Sequence, residues 1–221
     1  MEIFLLVLAA LFPVVNPPGA ALVFLSMTKY ASANERRLLA RRVALNAFFV
    51  MMGSLLIGAF ILKIYGISVP ILRVAGGLIV ASSGWTLLNA SAHKETDQLI
   101  ADERKNDYAS QAFYPLTLPL TTGPGTIAVM ISLGLSRSPF SDLSQDLYFV
   151  AASLLAAIVI AAAIYFCFAY SDRVEKMLGH GGTDTLVRLS AFILFCIGVQ
   201  IIWSGASDLI GTVISSTSLK K

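Results

Sequence analysis

Charged residues are scarce in this sequence. Its 221 residues include 16 Lys and Arg and 13 Asp and Glu, so 13% are charged, against about 25% in soluble domains. Hydrophobic residues make up 57%, compared with about 45–50% in soluble domains. So few polar side chains could not cover the surface of a soluble domain of this size, and the composition predicts an integral membrane protein. The net charge of +3 is too small and too dispersed to indicate a nucleic-acid partner.

Cysteine and histidine are also rare. The two cysteines, Cys167 and Cys196, lie in apolar tracts, and the two histidines are far apart in the chain. The sequence therefore predicts neither a disulfide framework nor a metal site. It contains no His-Glu-x-x-His motif, no Walker-type phosphate loop, and no serine or cysteine paired with a nearby base. We expect a protein that is not an enzyme and that carries no cofactor.

Long apolar tracts dominate the chain. A transmembrane helix needs about 20 mostly apolar residues, and six uncharged tracts meet or approach this length. They are residues 3–28, 43–62, 74–92, 112–136, 147–171 and 189–207. No alternation typical of a β-barrel is present, so the sequence predicts an all-α polytopic membrane protein with six transmembrane helices. Glu2 stands where a signal peptide would be basic, which favours a retained first helix.

The distribution of lysine and arginine predicts the orientation. Eleven of these residues follow spans one, three and five or begin span six, and five lie on the other side. Because cytoplasmic loops are enriched in basic residues, we expect both termini to be periplasmic. The polar segment 93–111 would be a cytoplasmic connecting loop. It would divide one membrane domain into a first three-helix repeat, 1–92, and a second, 112–221.

A capping box is predicted before span two. Ser32-Ala33-Asn34-Glu35 has the serine and the glutamate at the spacing that satisfies two backbone N–H groups at a helix start. It would begin a basic helical extension that anchors span two at the membrane interface.

The prolines predict two broken helices. Six of the eight prolines lie in spans one and four. When residue i is aligned with residue i+106, segment 12–27 matches segment 118–133 at five of 16 positions, including both Pro-Gly pairs. Proline lacks an N–H and clashes with the preceding turn, so helices one and four should break at these motifs. Interrupted spans at corresponding positions indicate two inverted repeats and a transporter binding site.

The breaks also predict the chemistry of that site. Asn16 and Thr122 occupy equivalent positions and are good N-cap residues, so each following half-helix should direct free N–H groups towards a substrate carboxylate. The carbonyl oxygens that the breaks release would accept hydrogen bonds from an ammonium group or coordinate a cation. The expected substrate-binding residues are Asn16, Pro17, Pro18, Gly19, Thr121, Thr122, Gly123, Pro124, Gly125 and Thr126. Ordinary proline kinks are the alternative explanation.

Other polar residues inside the spans are weaker candidates. Asn46, Arg73 and Gln200 could contact substrate or ion, although helix–helix hydrogen bonding or interfacial anchoring would also explain them. Asp208 closes span six and is expected at the interface. No carboxylate lies in a span centre, which argues against a buried proton relay and leaves Na⁺ and H⁺ open as coupling ions.

The motifs resemble those of the MarC family of bacterial inner-membrane proteins, also described as small neutral amino acid transporters. The resemblance extends over essentially the whole chain. It rests on Asn16-Pro17-Pro18-Gly19, on the run from Pro115 to Gly125, on Arg73-Val74-Ala75-Gly76-Gly77 and on Ile197-Gly198-Val199-Gln200. It implies a six-span transporter of glycine, alanine and other neutral amino acids. Leu22 stands where many members have a further proline, so helix one should be straighter beyond its break.

Three functions remain open. We expect a secondary transporter or exporter of small neutral amino acids, with its site between the inverted repeats. The alternatives are efflux of drugs or other hydrophobic compounds, which should need a wide aromatic cavity, and a non-transporting membrane scaffold. Small neutral amino acids and the lipid bilayer are the expected partners, and a homo-oligomer remains open.

Overall fold

The computed structural model describes residues 1–28, 31–89, 110–114, 116–135 and 143–218. Seven α-helices lie within these ranges: α1 (Glu2–Val15), α2 (Pro17–Met27), α3 (Ala33–Tyr65), α4 (Val69–Asn89), α5 (Pro124–Leu135), α6 (Leu143–Ala169) and α7 (Ser171–Ser218). A 3₁₀ turn, Ser110–Ala112, and a π-helical turn, Leu116–Thr121, precede α5. All the regular structure in the described residues is helical, which confirms an all-α fold.

Five segments of the described residues are long and apolar enough to cross a membrane. They are Glu2–Leu25, which contains both α1 and α2, and then Ala33–Tyr65, Val69–Thr86, Ser144–Ala169 and Arg188–Thr212. They coincide with five of the six predicted spans. In the other predicted span, 112–136, the regular structure of the described residues is the shorter apolar helix α5, the π-helical turn before it and the last residue of the 3₁₀ turn.

Helix α3 begins as its sequence predicts. The Glu35 N–H donates to the Ser32 hydroxyl oxygen at 3.3 Å, and the Ser32 N–H donates to the Glu35 carboxylate at 2.7 Å. Both halves of the capping box are therefore present. The helix ends at Gly66, whose φ of 65° lies in the left-handed region that favours glycine. This turn leads directly into α4.

The helices alternate in direction between two ends of the bundle. The N-terminal ammonium group contacts Tyr148 near the start of α6, and Phe24 stacks on Phe168 near its end, with ring centroids 4.5 Å apart. The segment α1–α2 therefore runs parallel to α6. Arg36, near the start of α3, reaches Asp172 beyond the end of α6, so α3 runs antiparallel to both.

Helices α4 and α7 pack in antiparallel contact at glycine positions. A Cβ added to Gly77 would lie 2.7 Å from the Ile202 backbone nitrogen, and one added to Gly205 would lie 2.7 Å from the Pro70 carbonyl oxygen. Gly84 and Gly198 meet the opposite backbone in the same way. Small residues that let helix backbones approach are typical of membrane helix packing. Gly77 and Gly84 therefore form a packing face of α4.

This packing gives a prediction with a matched control. Gly198→Ala should lower the free energy of unfolding by about 1–3 kcal/mol, because the new methyl group overpacks against the backbone of Ala81. Gly53→Ala should be neutral or stabilising by about 0.5–1 kcal/mol, since nothing lies within 4 Å of its added Cβ. Thermal unfolding of the purified variants in detergent measures both. Equal midpoints would contradict the close approach of α4 and α7.

Helix α7 passes without a break through the polar, glycine-rich stretch 179–182, which lies between the fifth and sixth predicted spans. With 48 residues, α7 is about 72 Å long, which is more than twice the hydrocarbon thickness. Its spanning part begins at Arg188. Tertiary contacts of a long helix can override the low helix propensity of single glycines.

The predicted loop 93–111 lies outside the described residues, except for Ser110 and Gln111, which begin the 3₁₀ turn. The distribution of basic residues still gives a topology prediction. A reporter fused to the C-terminus should be periplasmic, and one inserted near Asp102 should be cytoplasmic, because basic residues favour the cytoplasm. Alkaline phosphatase and green fluorescent protein fusions measure this. The reverse pattern would contradict the charge-based orientation.

Candidate functional site

The first broken helix is interrupted at a single residue. Asn16, between α1 and α2, has φ 46° and ψ 60°, and it is the one non-glycine residue with positive φ among the described residues. Asparagine tolerates this left-handed conformation better than most residues. Its side-chain oxygen accepts from the Gly19 N–H at 3.3 Å. The predicted break and the predicted Asn16 N-cap are both confirmed.

The donors at the start of α2 are not free, contrary to the sequence-based expectation. Pro17 and Pro18 have no N–H, the Gly19 N–H donates to the Asn16 side chain, and the Ala20 N–H donates to the Asn16 carbonyl oxygen at 2.9 Å. A substrate carboxylate could reach the Gly19 N–H only by displacing the Asn16 side chain. The long 3.3 Å bond is the weakest of these contacts.

The second broken helix is interrupted over several residues. The π-helical turn at 116–121 contains Leu118 with extended backbone angles, φ −110° and ψ 124°, and regular helix resumes only at Pro124. Buried threonine hydroxyls bond the carbonyl oxygens released here: Thr117 donates to Ala112 O at 2.7 Å, and Thr121 donates to Leu116 O at 2.7 Å. The predicted break is confirmed, but threonine hydroxyls already donate hydrogen bonds to some of the carbonyl oxygens that it releases.

The role of Thr122 differs from the prediction. Because α5 begins at Pro124, the residue before the helix is Gly123, whose carbonyl accepts from the Ile127 N–H at 3.2 Å. Thr122 is fully buried, and its hydroxyl donates to Thr117 O at 3.2 Å. It does not precede α5 as Asn16 precedes α2. The alignment at i+106 pairs Pro124 with Pro18, whereas α2 begins at Pro17, so α5 begins one residue later than the alignment predicts.

Gly125 packs closely against α4. A Cβ added there would overlap the Val80 side chain and lie 3.5 Å from the Gly76 carbonyl oxygen. The close approach at this glycine is therefore made by α4. Thr126, also a predicted site residue, is only 2% exposed.

The two interruptions lie side by side. Helix α1 contacts α5, and α2 contacts the 116–121 turn. The two broken segments therefore pack against each other, and α2 contacts part of the second interruption itself.

A cavity of about 140 Å³ lies one turn beyond the second break, between α4, α5 and α7. Its walls are formed by Arg73, Ala128, Val129, Ser132, Leu133, Ile201 and Ser204. Arg73 donates from Nε and Nη2 to the Ser132 hydroxyl oxygen at 2.9 and 2.5 Å, and from Nη1 to the Asp208 carboxylate at 2.7 Å. Of the three weaker candidates, Arg73 alone lines this cavity.

The other polar candidates lie apart from the cavity walls. Gln200 is exposed on α7, and Asn46 is half-buried on α3. Their roles as substrate or ion contacts stay predictions. Asn89, at the end of α4, donates from its side-chain amide to the Trp85 carbonyl oxygen of its own helix at 2.9 Å.

A buried arginine cluster was missed from the sequence. Arg36 is 6% exposed, donates to the hydroxyl and carbonyl oxygens of Thr28 at 3.2 and 3.0 Å, and pairs with Asp172. It also donates to the Ala31 carbonyl oxygen. It holds the end of α2 against the starts of α3 and α7. A basic helix start looked like an interfacial anchor, and sequence alone does not show that one of its arginines faces inward.

Comparison with known proteins agrees with the resemblance of the sequence motifs to those of the MarC family. A sequence model described as "MarC family integral membrane protein" matches residues 1–210. The "UPF0056 inner membrane protein MarC" of Salmonella typhimurium is 32% identical over 209 residues, covering 93% of this chain and 94% of the relative. The protein of the same name from Escherichia coli O1:K1 is 33% identical over 212 residues, with the same coverage. No solved structure matches the chain.

Proposed function

We propose that this chain, which belongs to the MarC family of integral membrane proteins, is a secondary transporter or exporter of small neutral amino acids. The names of its relatives and its apolar helices make it a multi-pass protein of the inner membrane. In this proposal, segments 1–92 and 112–221 are three-helix repeats of opposite orientation. The substrate passes between the interruptions at Asn16 and before Pro124.

The observation that carries the proposal is the pair of adjacent interruptions. Backbone that leaves the helical pattern is tolerated at membrane depth only inside protein or beside water. Transporters with inverted repeats use such discontinuous helices to form their substrate sites. A proline kink would explain either break alone, but it gives no reason for two breaks at matching positions to lie against each other. Their pairing favours a transport site.

The size of the cavity supports a small substrate. Pockets for drug-sized ligands have volumes of about 300–1,000 Å³, whereas this cavity has about 140 Å³. The cavity is therefore smaller than a pocket for a drug-sized ligand, which suits a ligand as small as glycine or alanine. None of the described residues that line the cavity is aromatic, which disfavours efflux of large hydrophobic drugs.

A counterflow screen in proteoliposomes tests the proposal. Vesicles loaded with each of the twenty amino acids are diluted into the same radiolabelled amino acid, with and without Na⁺ and pH gradients. We expect glycine, alanine or another small neutral amino acid to accumulate above protein-free vesicles. Folded protein without counterflow of any amino acid would support a scaffold. Altered drug susceptibility on deletion, without amino acid flux, would support drug efflux.

A further inference from the structure

We propose that Arg73, Ser132 and Asp208 form a subsite that binds the ammonium and carboxylate groups of a small zwitterionic amino acid. Arg73 and Ser132 would bind the carboxylate, and Asp208 the ammonium group. The inference deepens the proposed function and rests on it for the identity of the substrate class. It is carried by a different part of the molecule from the two interruptions.

Three helices bring the three groups together. Arg73 belongs to α4, Ser132 to α5 and Asp208 to α7. The arginine contacts described above use three of its five N–H groups, so two remain among the described contacts for a further acceptor. The Ser132 hydroxyl accepts from Arg73, and its own hydrogen can still be donated. Carboxylate recognition by a guanidinium and a hydroxyl is therefore available at one wall of the cavity.

The charges of the subsite match a zwitterion. Arg73 and Asp208 carry opposite unit charges, so the pair is neutral, as is an amino acid with a neutral side chain. A zwitterion that enters between them replaces the Arg73–Asp208 ion pair with two: its carboxylate pairs with Arg73 and its ammonium group with Asp208. An isolated carboxylate or ammonium ion would pair with one of the two charges and leave the other to solvent, so it would form one ion pair fewer than a zwitterion does. The pair therefore selects for both ends of the ligand together.

The walls of the cavity favour a small side chain. Beyond the charged groups, it is lined by Ala128, Val129, Leu133 and Ile201. Ser204 lies one turn before Asp208 on the same face of α7, and it also lines the cavity. Arg73 lines the cavity, whereas its partner Asp208 is not among the lining residues. The Asp208 side chain is 47% exposed and that of Arg73 30%, so we place the charged pair at the mouth. The cavity then leads towards Ala128, one turn after Pro124 and the second interruption.

Equilibrium binding to the full-length protein in lipid nanodiscs tests the subsite. The probes are L-alanine, propionate, which lacks the ammonium group, and ethylamine, which lacks the carboxylate. We expect each single-ended probe to bind at least about 10-fold more weakly than L-alanine. Arg73→Gln and Asp208→Asn should each weaken L-alanine binding by about 10- to 150-fold, as expected for loss of a charge-assisted hydrogen bond.

A change in selectivity separates recognition from a purely structural role. In Asp208→Asn the preference for L-alanine over propionate should disappear, because the ammonium group no longer has its partner. Asp172→Asn is the matched control: it removes the aspartate of the other arginine pair, with a similar exposed fraction of 40%, and should keep the preference. If Arg73→Gln does not fold, Asp208→Asn and the three probes still decide the question.

The outcomes distinguish this inference from the proposed function. Unchanged L-alanine affinity and selectivity in Asp208→Asn would overturn the subsite, and so would a wild-type protein that binds propionate as tightly as L-alanine. If the wild type transports L-alanine under those results, the proposed function stands without this subsite. If both ends of L-alanine are needed for binding but no flux occurs, the subsite stands and the proposed transport fails.

Discussion

Replacing Gly125 with valine is expected to abolish amino acid transport. The added side chain would occupy the space of the Val80 side chain and press on the Gly76 backbone. Overpacking of this kind costs about 1–3 kcal/mol or more, and here it would separate α5 from α4 directly at the second interruption. Counterflow of L-alanine, measured beside the yield of monodisperse protein, should fall to the level of protein-free vesicles.

A compensating substitution tests whether overpacking against Val80 causes this loss. Gly125→Ala alone should impair transport, and the double variant Gly125→Ala/Val80→Ala should restore it, because removing the Val80 methyl groups makes room for the new Cβ. The alternative is that glycine at this position lets a ligand approach the backbone. If the double variant folds normally but does not transport, the ligand interpretation is right and the packing interpretation is wrong.

Replacing Arg36 with methionine is expected to have the largest effect on stability. Its guanidinium is buried and bonds Thr28, Ala31 and Asp172. Methionine retains much of the apolar stem but loses every one of these hydrogen bonds. Removing one partner of a buried ion pair costs about 3–5 kcal/mol. Because the Asp172 side chain is 40% exposed and can be solvated, we expect about 3 kcal/mol.

Arg37→Met is the matched control, since the neighbouring Arg37 is exposed on the same helix turn. It should unfold close to the wild-type temperature, whereas Arg36→Met should unfold several degrees lower and accumulate poorly in the membrane. Thermal unfolding in detergent gives both values. Equal loss in the two variants would indicate a general effect of positive charge at this end of α3 rather than the buried cluster.

Local signals in the sequence predicted much of the fold. The apolar tracts predicted the spans that the described helices confirm, the Ser32–Glu35 spacing predicted the capping box, and the Pro-Gly pairs predicted both breaks. Each of these depends on residues close together in the chain. Span length, capping and proline chemistry need no knowledge of tertiary contacts.

The parts that could not be predicted depend on contacts between distant residues. Asp208, expected at the interface, pairs with Arg73, 135 positions away, and the sequence did not indicate this partner. Arg36 and Asp172 are similarly remote in sequence. Thr122 aligns with Asn16, yet Asn16 directly precedes α2, whereas α5 begins one residue later than the alignment predicts, at Pro124. Single-sequence patterns do not show which polar groups meet across helices, or how an interrupted backbone satisfies its hydrogen bonds.

The central claim is that the paired interruptions belong to an amino acid transporter. Its most direct test is L-alanine counterflow by the wild type and by Asn16→Ala in the same proteoliposome preparation. Alanine at position 16 removes the side-chain cap of α2 and does not readily adopt positive φ. We expect clear counterflow by the wild type and at least about 10-fold less by folded Asn16→Ala. Equal counterflow in both would contradict a role for the break, and folded wild-type protein without counterflow would contradict transport of L-alanine itself.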